Sequence, residues 1–170
     1  MQEKTGKLMK QVRLYNVLFP LWLLIMFPVP AVATLLCVLG NGLIDALVLH
    51  FGAKRQSAQM ERWTFVKTWL KVFLTGWSMD FIVAFALLLV SVVLPHELAY
   101  AVQFDVFSHW GGFVIVTCAT ALTGYLIYLV NLKLSFKKLD VSVEQKKKMA
   151  LYLALWTAPY LFYLPTIWFY

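Results

Sequence analysis

The chain has 170 residues, of which 62% are hydrophobic and only 14% charged. Soluble domains run nearer half apolar and a quarter charged, so an ordinary water-soluble globule is excluded: there is too little polar surface to cover one. The net charge of +7 does not point to nucleic acid, because the fifteen Lys and Arg fall in three blocks beside apolar runs.

Those blocks are Lys4, Lys7, Lys10 and Arg13; Lys54, Arg55, Arg62, Lys67 and Lys71; and Lys133, Lys137, Lys138, Lys146, Lys147 and Lys148. Placed on one side of a bilayer, all three obey the positive-inside rule. The natural solvent of such a chain is lipid. Backbone groups in lipid must pair internally, which leaves helices or a closed barrel. The apolar runs are continuous and too long for tilted barrel strands. The expected fold is an all-α integral membrane protein, a bundle of three to five transmembrane helices with an N-terminal Pro-broken helical hairpin. Residues 1–170 form a single membrane domain with no repeat or low-complexity tract. Cys37 and Cys118 each lie inside an apolar run and read as packing residues. No CxxC is present.

In chain order, residues 1–13 form a basic cytoplasmic tail, either a short helix on an anionic leaflet or a disordered anchor. The tail, the apolar run after it and Ala31-Val32-Ala33 imitate a signal peptide with an A-x-A site; the expectation is that this region is retained. Residues 14–51 read as a helical hairpin, with Pro28-Val29-Pro30 at its tip and a kink at Pro20. Arm one is about 24 Å long at helical rise, and either crosses or is re-entrant. Arm two holds the run Val32–Phe51, with Gly40-Asn41-Gly42, Asp45 and His50. Residues 52–71 read as a basic interfacial segment. There Thr64, Lys67, Thr68, Lys71 and Thr75 share one helical face, and Val66, Trp69, Leu70 and Phe73 the other.

A span follows over 72–94 and stops at Pro95. The loop 95–110 has no Lys or Arg and is assigned outside. The next span covers 111–132. Its small stripe of Thr117, Thr120, Ala121 and Gly124 suits close helix packing, with a pore lining as the alternative. Residues 133–148 are a basic inner loop. The last span, 149–170, is bent by Pro159 and Pro165 and ends in an aromatic belt of Tyr160, Tyr163, Trp168, Phe169 and Tyr170. The expected location is a plasma or inner membrane, N-terminus inside and C-terminus outside, with five spans if arm one crosses and three if it does not.

The residues that invite chemistry are Asp45 and Asp80. Both sit inside apolar spans, about 9 and 12 Å from the same ends of their helices, so they can meet across a helix pair. Asn41 and Gly42 share Asp45's face: Asn41 is placed to bond Asp45, and Gly42 to admit a neighbour. His50, five residues on, turns away. An intramembrane acid is a functional candidate by default. Such a pair can carry a proton, hold a hard cation, or pair with a cationic substrate; the alternative is a purely structural role in helix packing. Gly40-Asn41-Gly42 marks either a broken helix or close packing.

Weaker metal candidates are His96, Glu97, Asp105 and His109 in the outer loop. Tyr100 stands where an HExxH motif needs its second histidine, so ordinary loop residues are the favoured reading. No nucleotide, GxSxG or cofactor motif is present, and no cofactor is expected. The leading expectation is a small transporter or channel for a cation or proton, using Asp45, Asp80 and Asn41. Its partners are the lipid bilayer and either further copies of itself or a larger membrane complex. The alternative is a non-catalytic subunit of such a complex, supported by the small face around Thr120 and Gly124. A lipid-modifying enzyme using Asp45, His50 and Asp80 is the third, with no nucleophile or metal set to accompany it.

Overall fold

The computed structural model of the chain describes residues 28–165. They form helix α1 (Pro28–Arg55), α2 (Arg62–Val93), the short α3 (His96–Gln103), α4 (Trp110–Val130) and α5 (Val143–Trp156). A 3-10 turn lies at Val106–Ser108 and another at Tyr160–Tyr163, and a π-helical turn at Asn131–Ser135 extends α4. No strand occurs among the described residues. Two helical stretches, Arg62–Val93 and Trp110–Ser135, are long and apolar enough to cross a membrane. At helical rise they measure about 48 and 39 Å, against a hydrocarbon core of about 30 Å. Hairpin arm one (its last residues apart) and the basic tail 1–13 lie outside the described residues, as do Trp168, Phe169 and Tyr170.

The helix boundaries follow from local chemistry. Pro28 and Pro30 do not interrupt α1; they sit in its first turn, where the missing N–H costs nothing. The helix also runs unbroken through Gly40-Asn41-Gly42, which removes the broken-helix reading. It ends in a Schellman motif: Ala58 N–H donates to the Ala53 carbonyl at 2.9 Å and Ser57 N–H to that of Lys54 at 3.1 Å. Ala53 and Ala58 are both buried, supplying the apolar contact of that motif. The residue in the left-handed position is Ser57, with φ 53°.

The segment 52–71, expected as a basic interfacial segment, divides between the end of α1, this turn and the start of α2, which continues without a break into the span. Pro95 stops α2. The loop 95–110 is largely ordered as α3 and a 3-10 turn capped by Asp105, whose Oδ1 accepts from Phe107 N–H at 3.1 Å. The basic loop 133–148 is shorter than expected, because a capping box at Ser142 and Gln145 starts α5 at Val143. The last span is interrupted: α5 ends at Trp156, three residues before Pro159, and a 3-10 turn follows.

The described residues fall into two compact units. One comprises those up to Leu36, Ile82–Ala119 and those from Leu161; the other comprises Cys37–Phe81 and Thr120–Tyr160. In the first, α3 folds against its neighbours through Gln103, whose Nε2 donates to the Ser91 hydroxyl at 2.7 Å. Ser91 in turn donates to the Leu88 carbonyl. Gly112 lets α3 approach α4: a Cβ there would meet that of Ala101 well inside van der Waals contact. Tyr163 donates to the Thr117 hydroxyl at 3.0 Å.

In the second unit the core is Leu49, Ala53, Ala58, Val72, Phe136, Leu139, Met149, Ala150 and Leu153. Gln145 ties it together, accepting from Ser142 N–H and donating from Nε2 to the Gln56 carbonyl at 2.7 Å. Gly124 lies against α5, a Cβ there falling 3.3 Å from the Ala154 carbonyl oxygen and 3.7 Å from Ala158.

Two substitutions test these boundaries by thermal unfolding in detergent. Ser57→Gly relieves a left-handed backbone position and raises stability by about 1 kcal/mol. Gly112→Ala forces α3 away from α4 and lowers it by about 1–3 kcal/mol.

Candidate functional site

Asp45 projects from α1 into the second unit and is only 2% exposed. Across from it, α2 has no side chain at Gly76: a Cβ there would lie 3.9 Å from Asp45 Oδ2. That is an ordinary contact distance, so the Asp45 carboxylate lies against the face of α2 at Gly76. Asp80 stands four residues after Gly76, one turn along the same face. Two carboxylates are thus gathered on facing helices.

Neither is neutralised in the ordinary way. Asp45 Oδ2 and Asp80 Oδ1 are both buried and have no hydrogen-bond partner among the described residues. The ion pair among the described residues is Lys148 with Glu144, at 2.7 Å on the exposed side of α5. The hydrogen bond from Lys148 holds the Glu144 carboxyl below its usual range. A buried polar group without a partner costs free energy that a solvated one does not.

A glycine and an aromatic column build the wall beside the acids. Trp69, Phe73 and Trp77 recur every four residues on α2 and stack, with ring centroids 6.2 Å apart at each step. Trp69 Nε1 donates to the Gly42 carbonyl at 2.8 Å. A Cβ at Gly42 would lie 3.5 Å from the rings of both Trp69 and Phe73. The neighbour at Gly42 is a pair of aromatic side chains at ordinary contact distance, not a closely approaching backbone. Trp69 also occupies the Gly42 carbonyl oxygen, so that oxygen is not a spare ligand. Gly40, by contrast, has no described atom within 4 Å of a built Cβ, so close packing belongs to Gly42 alone.

Other expected residues fall elsewhere. Asn41 is half-buried and makes no hydrogen bond to Asp45 among the described residues. His50 is turned away, packing edge-on to Phe51 and Phe65. Of the small stripe, Gly124 lies against Ala154 of α5, and Ala121 is exposed. In the first unit, His96, Glu97 and His109 line a shallow depression of about 290 Å³ with Tyr100 and Ser108. Asp105 is engaged as a cap, and His109 Nδ1 accepts from Gly111 N–H at 3.0 Å. No group of three His, Cys, Asp or Glu able to hold a metal occurs among the described residues.

Sequence reasoning missed Trp69, Gly76 and Trp77 as parts of the site. Their signal was present as a four-residue aromatic period and as a glycine one turn before Asp80. It was hidden because a Trp or Gly in a span is ordinary packing material until the facing residue is known.

Trp69→Phe keeps the ring and removes the donor to Gly42. It is expected to lower thermal stability in detergent by about 1 kcal/mol, with little change in the near-ultraviolet signature of the remaining tryptophans.

No family model, no curated protein and no solved structure matches this chain.

Proposed function

We propose that this chain is a small polytopic membrane transporter or channel that passes a proton or small cation through the Asp45–Asp80 pair. The observation that carries the reading is the burial of two neighbouring carboxylates, each with an oxygen lacking a partner among the described residues. Evolution gains little stability from such a pair: like charges repel, and desolvation penalises both. A site kept at that cost is better explained by an occupant that comes and goes. Intramembrane acids serve proton relays and cation paths for the same reason.

In this reading the three basic blocks face the cytoplasm, with the N-terminus inside and the C-terminus outside a plasma or inner membrane. Helices Arg62–Val93 and Trp110–Ser135 cross, and the chain assembles with further copies, because so few spans enclose little of a pathway alone. The competing reading, an accessory subunit of a larger complex, drew support from the small face near Gly124. Gly124 itself lies against Ala154 of α5, while Ala121 on the same face is exposed.

The test is flux in proteoliposomes under an imposed proton or cation gradient. Asp45→Asn and Asp80→Asn each lower the rate by about tenfold or more. Both variants are expected to unfold at equal or higher temperature, since an isosteric amide removes a buried charge. Unchanged flux in the double variant would sink the proposal; co-purification of a stoichiometric larger partner would favour the accessory subunit.

A further inference from the structure

At the basic end of α1, within the second unit, lies a depression of about 140 Å³ lined by His50, Ala53, Lys54, Ala58, Met60 and Phe65. We infer that it is a binding site for the phosphate headgroup of an anionic phospholipid. The inference rests on the membrane reading above but not on the role of the two acids.

The lining has two kinds of chemistry. His50 and Lys54 are one helical turn apart on α1, both exposed, and together offer an imidazole and an ammonium to one anion. Ala53, Ala58, Met60 and Phe65 form an apolar wall, with His50 edge-on to Phe65 at 6.2 Å between ring centroids. A free inorganic phosphate gains nothing from such a wall. A phosphodiester that carries carbon on one side does.

The site is built by the fold rather than by chance exposure. The Schellman turn at Ser57 brings Ala58 back onto Ala53, and Met60 and Phe65 follow from that reversal. The neighbouring cation is removed from competition, since the Arg55 guanidinium lies 5.8 Å from the centre of the Tyr152 ring. Lys54 has no carboxylate partner among the described residues. Around it the unit carries eleven basic side chains against the carboxylates of Glu61, Asp140 and Glu144, apart from the two buried acids. Trp63 is 69% exposed beside Arg62 at the start of α2, as an aromatic at headgroup level would be. Basic pockets between helices at this level suit anionic headgroups.

The experiment uses the full chain in phosphatidylcholine nanodiscs with and without phosphatidylglycerol, with retained lipid counted by native mass spectrometry. Phosphatidylglycerol is expected to be retained in preference to phosphatidylcholine, and inorganic phosphate not to displace it. Lys54→Gln lowers the apparent affinity about fivefold, and His50→Gln lowers it further. Lys67→Gln, an exposed cation outside the depression, leaves it within about twofold. Equal losses from Lys54→Gln and Lys67→Gln would mean diffuse attraction and overturn the site. Displacement by inorganic phosphate would overturn the lipid assignment. A chain that stays out of nanodiscs of either composition overturns the membrane reading and this site with it. Selective lipid retention alongside unaltered flux in the Asp45 and Asp80 variants would leave the site standing while the transport proposal falls.

Discussion

The contact of α1 with α2 around Gly42 and Gly76 is the constraint on which the second unit depends. Gly42 on one helix admits the rings of Trp69 and Phe73, and Gly76 on the other admits the Asp45 carboxylate. A methyl fits at either position at ordinary contact distance, whereas a bulkier side chain would have to displace these groups. The acid would then find water or lipid instead of a neighbouring backbone. The Trp69 hydrogen bond to the Gly42 carbonyl fixes the register of this contact. It is worth about 1 kcal/mol by itself, but it decides which residues of α2 face Asp45. Position, rather than energy, is what the glycines and the tryptophan contribute.

The unit also keeps its charges apart. The acids lie deep, while the cations gather where α1 ends, α2 begins and α5 begins. A lysine reaching Asp45 or Asp80 would have neutralised the pair and made it a structural ion pair, with its stability decided by desolvation against attraction. Among the described residues no such pairing exists. Instead, Arg55 rests on Tyr152, Lys148 takes Glu144, and the remaining basic side chains stay near the surface. This separation lets one short chain present a cationic face at one end and an unneutralised carboxylate pair inside.

Much of this was legible in the sequence, and the parts that were not have physical reasons. The all-helical character followed from long apolar runs. Helix ends were harder. The proline pair at 28 and 30 reads as a break, yet a proline in a first turn is well tolerated, and only the position of the helix start decides between the two. The segments 95–110 and 133–148 read as loops because they are polar. Each nonetheless holds a helix start, at Pro95 and at the Ser142 capping box. Ser57 gave no sign of a left-handed turn, since glycine is the usual occupant. The small stripe at Thr120 and Gly124 showed that something packs closely there; that α5 is what packs could not be read from one helix alone.

The meaning of the acid pair is tied to the solvent around it. In water a half-buried carboxylate is ordinary, and its partner is often the solvent itself. In lipid the same group has no such recourse. The outer faces of the helices bear on which applies. Along α2, Leu70, Leu74, Trp77, Phe81, Phe85 and Leu89 are all substantially exposed, a continuous apolar surface larger than soluble monomers ordinarily show. Acyl chains or a second copy of the chain would both suit such a surface. Either cover withdraws water from α2 and so raises the cost of leaving Asp80 unpaired. Under an apolar cover, the same exposed surface would therefore make the unpartnered aspartates costlier than they are in water.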